Sequence, residues 1–210
     1  METNGRNMAS VEIISTLEKF DWGKLNKIYG CAHSSIIGFI AYEWLKCSRK
    51  NSVLDGAPSP ETGSGRKGQQ NSDLLLCKDQ KPYIPIEVET SVAKYPSKLG
   101  TLFKYGEKFS DVEFGILYMS NFIRGNPKLR HQHNWDSIKT LVLNQSGANR
   151  KSIVLVSAIK SRIKFPIENK WSALLKRNDY SPWEIVCIDY WACDKNKTII
   201  EGNFWNNVHK

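Results

Sequence analysis

No stretch constrains this chain more than Ser72 to Lys98, SDLLLCKDQKPYIPIEVETSVAKYPSK. Leu74 to Cys77 is a continuous apolar run, and Lys78 to Pro82 supplies turn chemistry. Tyr83 to Glu89 then alternates, with Ile84, Ile86 and Val88 on one face and Glu87 and Glu89 on the other. The pattern predicts two strands around a polar turn, the second of them half-buried, with a helix to follow. Pro85 inside the second run suits an edge or a bulge. In such a hairpin the start of one strand lies beside the end of the other, which brings Asp73 near Glu87 and Glu89. Three like charges so close cost free energy unless something cationic sits among them. A hard divalent ion, Mg²⁺ or Mn²⁺, is the expected guest, because it takes oxygen ligands from one or two carboxylates and keeps several waters.

An Asp, a spacer and then a strand ending in an acidic residue, any residue and Lys is the signature of the PD-(D/E)XK nuclease superfamily, which this stretch resembles. The motif's Pro-Asp reads here as Ser72-Asp73, and its second half as Glu87-Val88-Glu89. Absence of the Pro is common in that superfamily. Glu in the lysine's place resembles a minority of restriction enzymes with Glu-x-Glu, and also relatives whose lysine has moved to the next helix, where Lys94 and Lys98 are available. The resemblance covers residues 33 to 120. It implies an α/β restriction-endonuclease-like core, a central mixed β-sheet flanked by helices, with Asp73 and Glu87 as metal ligands. The helix before the Asp strand often adds an acidic ligand in that superfamily, and Glu43 matches the place. Glu43 lies beside the apolar face of a predicted helix, so a rim charge is its other reading. His33 reads as a capping or surface residue, although some of the resembled nucleases use a helix histidine as a ligand. For the missing lysine's role, alternation favours Glu89, which shares a strand face with Glu87, over Lys94 and Lys98.

The implied activity is metal-dependent hydrolysis of phosphodiesters, in DNA ahead of RNA. A net charge of +9 over 210 residues suits a polyanionic partner, nucleic acid before membrane. Two readings compete. One is a catalytically inactive nucleic-acid-binding protein, favoured by the absent lysine after Val88. The other is an interaction protein in which Glu87 and Glu89 merely face solvent. Specificity would reside in loops and oligomer geometry, with a homodimer as a possible assembly.

The length fits a single domain spanning 1–210, with 121–210 an elaboration of the same body. Five cysteines without a CxxC pair argue against a zinc site or disulfide framework and for a reducing cytoplasm; Cys47, Cys77 and Cys187 read as small core residues. The polar first ten residues are unlike a signal peptide, and the longest apolar run, Ile36 to Tyr42, is too short to span a bilayer, so a soluble chain is expected.

Ser10 can cap a helix carrying Val11, Ile13, Ile14, Leu17 and Phe20, and a second helix is predicted over 34–47 with Ile36, Ile37, Ile40, Trp44 and Leu45 buried. The Gly/Pro-rich residues 51–72, with Arg66 and Lys67, read as a flexible basic loop. Pro96 suits the first turn of a helix with Leu99, Leu102 and Phe103 as its stripe, and 112–119 reads as a buried strand. Residues 121–134, with Arg124, Lys128, Arg130, His131 and His133, read as a solvated basic loop; His131 and His133 are weak metal evidence. A helix around Trp135 to Val142 and strands at 153–159, 183–191 and 198–201 complete the reading. Lys160, Arg162 and Lys164 would form a basic stripe if the first of those strands continues, able to follow a phosphate backbone or to guard an edge.

Overall fold

Seven strands satisfy one another's backbone groups in a single mixed sheet whose spatial order is the chain order. They are β1 (Asn51–Asp55), β2 (Leu74–Lys78), β3 (Lys81–Glu89), β4 (Phe114–Phe122), β5 (Ser152–Arg162), β6 (Trp183–Cys193) and β7 (Ile199–Asn206). Among the described residues four α-helices accompany them: α1 (Met8–Leu17), α2 (His33–Cys47), α3 (Tyr95–Lys108) and α4 (Pro127–Asn144). This is a computed structural model, and it describes residues 8–27, 33–55, 72–89, 94–108, 114–122, 127–145, 151–162 and 183–206.

Strands β1, β2 and β3 pair antiparallel; β3 with β4 and β4 with β5 pair parallel; β5, β6 and β7 return to antiparallel. Parallel neighbours need a crossover, and α3 and α4 supply the two. Successive crossovers of one hand place their helices on the same side of the sheet. Tyr95, Leu99 and Leu102 of α3 accordingly pack with Trp135, Ile138 and Val142 of α4 over Leu117, Met119 and Leu155. The opposite face carries Ile13 and Leu17 of α1 and Ile36, Ile40 and Trp44 of α2 over Ile84, Ile86 and Val88. The result is an α/β fold of three layers.

The β2–β3 hairpin follows its expected bounds closely. Its turn residues Asp79 and Gln80 both have positive φ (51° and 62°), the signature of a type I′ turn, here made without glycine. Pro85 is accommodated because β3 pairs with β4 only from Ile86 onward, so the missing N–H removes no bond on that side.

Several expectations are corrected. Both faces of β3 are covered, so Glu87 and Glu89 are buried, and the reading in which they face solvent fails. The loop expected over 51–72 begins with a strand: β1 pairs along β2 from Asn51↔Lys78 to Asp55↔Leu74, and residues 56–71 lie outside the described residues. Five residues are too few for alternation to stand out beside a Gly/Pro-rich tract. α1 starts at Met8, which places Ser10 within the helix rather than at its cap, and Val11 is half-exposed. In α2, Ile36, Ile40 and Trp44 are buried as expected and Ile37 partly so, whereas Leu45 is exposed and Phe39 joins the buried stripe. The loop expected to reach residue 134 gives way to α4 at Pro127, a residue suited to a helix's first turn. The side chains of Arg124, Lys128, Arg130, His131 and His133 lie outside the described set. Lys160 is 2% exposed rather than part of a surface stripe, because a bulge between Ile159 and Lys160 resets the alternation inside a covered sheet. The Arg162 side chain and all of Lys164 fall outside the description. Cys77 and Cys187 are core residues as expected, whereas Cys47 is exposed. No described helix is long and apolar enough to cross a membrane.

Candidate active site

Asp73 immediately precedes β2, and Leu74 of β2 lies opposite Ile86 of β3. That register carries the Asp73 side chain across to β3, where its Oδ2 accepts the backbone N–H of Val88 at 2.8 Å. A hydrogen bond to an ionised acceptor is among the stronger ones and holds the side chain toward its donor. Asp73 is thereby fixed beside Glu87, as the hairpin argument requires.

Lys98 completes the cluster. It is the fourth residue of α3, and its ammonium donates to Glu87 Oε2 at 2.5 Å and to Asp73 Oδ1 and Oδ2 at 3.4 and 3.3 Å. The rotation of α3 that aims Lys98 this way is set by Tyr95, Leu99 and Leu102, all buried against the sheet. Gly115 on β4 lets the helix approach: a Cβ there would stand 3.2–3.3 Å from Leu102 and from Ile153. A lysine near the positive end of a helix dipole is electrostatically misplaced unless carboxylates face it. Here two do.

His33, the first residue of α2, brings its Nε2 within 3.2 Å of Asp73 Oδ2 from the solvent side. Sequence reasoning assigned it to a cap or the surface. The pairing is tertiary, between residues forty positions apart, and no local pattern announces it.

Glu87 is 0% exposed, and its Oε1 has no hydrogen-bond partner. Burial pushes its carboxyl up to about 8 from an ordinary 4.5; the hydrogen bond from Lys98 opposes this and the Asp73 charge adds to it. Burial alone would lower the Lys98 ammonium, but Glu87 and Asp73 outweigh it and hold it above its usual value. Lys98 therefore stays cationic throughout the range in which Glu87 titrates. A buried acceptor without a protein partner is costly in a native structure and marks a place where a donor, a water or a cation fits.

No family model, curated protein or solved structure matches the chain.

The other expected site residues lie elsewhere. Glu43, ten residues along α2 from His33, is ~15 Å away at the helical rise. Its buried carboxylate accepts from the Asp21 N–H at 3.1 Å and from Lys46 at 2.9 and 3.1 Å, with Lys24 at 3.6 Å. Burial would raise its carboxyl, yet Lys46, the Asp21 N–H and Lys24 together hold it below the usual range. Glu43 anchors the turn after α1 to α2 and is no part of the cluster, a correction to its assignment as a metal ligand. Glu89 shares the Glu87 face but stands one pleat further on, beside Tyr95, whose hydroxyl is pushed up by burial and by the Glu89 charge. Lys94 is exposed. Of the three candidates for the missing lysine's place, Lys98 bonds both Asp73 and Glu87.

Proposed function

We propose that the chain is a metal-dependent nuclease, hydrolysing phosphodiester bonds in DNA ahead of RNA, on a restriction-endonuclease-like core. One observation carries the reading: a fully buried carboxylate with an orphaned oxygen, Glu87, stands beside Asp73 with a lysine between them. Element order supports it, since a strand, a second strand ending in carboxylates, a helix and then a buried strand is the order the PD-(D/E)XK resemblance implies. So does position, at the carboxyl end of β3 where its parallel pairing with β4 runs out, the usual site of chemistry in α/β sheets.

Asp73 and Glu87 present the oxygen donors that Mg²⁺ or Mn²⁺ takes, and Glu87 Oε1 is an acceptor still to be satisfied. An ion held by them would lower the pKa of a bound water and offset charge on the scissile phosphate. The Val88 N–H and His33 both meet Asp73 at Oδ2, which leaves Oδ1 on the Lys98 side. Lys98 supplies the positive charge that steadies the pentacoordinate anion and favours deprotonation of the attacking water. The +9 net charge favours a polyanionic substrate.

A second reading keeps the same site in a nucleic-acid-binding protein without catalysis. It is favoured by Lys98, which already bonds both carboxylates, and by the lack of any group of three His, Cys, Asp or Glu among the described residues placed to hold a metal. Cleavage of supercoiled plasmid separates the two. Wild type with Mg²⁺ or Mn²⁺ should nick it, while Asp73→Asn or added EDTA should stop the reaction. Plasmid left intact by folded, DNA-bound wild type supports the inactive binder.

A further inference from the structure

We infer that Lys98 is a resident surrogate for the divalent cation: metal must evict its ammonium from between Asp73 and Glu87. The inference rests on the nuclease reading and adds to it a regulation of metal entry. Three observations carry it. The Nζ of Lys98 touches both oxygens of Asp73 and Oε2 of Glu87, so it occupies the space that a cation shared by these two carboxylates would fill. The remaining oxygen, Glu87 Oε1, is fully buried and unpartnered, so one ammonium does not satisfy the site. Lys98 is 23% exposed and sits on a flexible four-carbon stem, so it has a route outward that a buried ligand lacks.

A divalent ion binds carboxylate oxygens at ~2.1 Å, well inside the contact distances that the ammonium now holds. Two cations cannot share that seat, and their repulsion sets the exchange. The metal-free site then holds a cation of its own. Metal entry frees Lys98 to turn toward the solvent side of the cluster, where a phosphate oxygen would be its next counterion. One residue thus lowers resting metal affinity and contributes to catalysis once displaced.

This makes an uncommon prediction: removing a residue that cleavage requires should tighten metal binding. Mn²⁺ titrations by calorimetry would compare wild type, Lys98→Met, Lys94→Met and Asp73→Asn, each first checked for a cooperative thermal transition. Lys98→Met should bind Mn²⁺ at least about tenfold more tightly, or ~1.4 kcal/mol. Lys94→Met removes an exposed charge from the same helix start and should match wild type, which excludes a general charge effect. Asp73→Asn should lose the site. Equal or weaker binding by Lys98→Met, with wild type binding normally, overturns the exchange while leaving the nuclease reading standing. Equal tightening by Lys94→Met also overturns it. No Mn²⁺ binding by any of the proteins overturns both.

Discussion

Replacing Glu87 by Gln should make the metal-free protein more stable at alkaline pH than wild type, although it removes an ion-pair partner. The wild-type carboxyl moves from 4.5 to about 8 on folding, chiefly by burial. The folded state therefore holds a proton that the unfolded chain has released, between those two values. Stability linked to Glu87 is fully present below pH 4.5, is lost as pH rises toward 8 and levels off above it. At 1.36 kcal/mol per pH unit the whole loss approaches about 5 kcal/mol, of which about 3 falls between pH 5 and pH 8. Gln keeps the shape and offers Lys98 a carbonyl oxygen, but has no proton to lose. Urea unfolding of both proteins in EDTA at pH 5, 6, 7 and 8 reads the effect, since other titrating groups cancel in the difference. The gap should widen in favour of Gln by ~2–4 kcal/mol over that range. Mg²⁺ should restore wild-type stability at pH 8 and leave the variant unchanged, because ligands that bind only the native state stabilise it. Parallel pH profiles would refute the reasoning, for they would mean that Glu87 is charged in the folded protein at no cost.

The protein should bind duplex DNA in EDTA with an affinity that falls steeply from 50 to 200 mM salt, because each neutralised phosphate releases a counterion; fluorescence anisotropy checks this, and a flat salt response contradicts a phosphate-tracking surface. Gln80→Gly should raise stability by ~0.5–1 kcal/mol in thermal or urea melts, since Gln80 holds φ 62° in a type I′ turn that glycine adopts without strain; a loss would mean that the Gln80 side chain has a role beyond the turn.

The hairpin that carries the site was legible in sequence because alternation, turn residues and strand length all act locally. Asp73 and Glu87 followed from hairpin geometry alone. Lys98 did not, because which way a helix turns its residues depends on packing: Leu99 and Leu102 must seat on the sheet, and Gly115 must make room, before Lys98 is aimed. A hint was present in a lysine placed at the start of a helix, against the dipole. Strand alternation points to Glu89, but alternation fixes a face and not a neighbour; one pleat moves it from Asp73 to Tyr95. His33 and Glu43 show the same limit from two sides. Both belong to α2, yet the tertiary fold gives the first to the cluster and the second to Lys24, Lys46 and the Asp21 backbone. β1 leaves little trace in the sequence because a five-residue edge strand is defined by its partner more than by its own pattern.

The account's central claim is that Lys98, carried on α3, does the work of the lysine absent after Val88. Single-turnover cleavage of a short duplex with saturating Mn²⁺ tests this most directly, comparing Lys98→Ala, Glu89→Gln and wild type at equal DNA occupancy. Lys98→Ala should slow the chemical step by ~10²–10⁴, the usual loss for a group that acts on the transition state or its proton transfer, while Glu89→Gln should cleave within about tenfold of wild type. Near-normal cleavage by Lys98→Ala together with a dead Glu89→Gln would contradict the claim and return the role to the strand carboxylate.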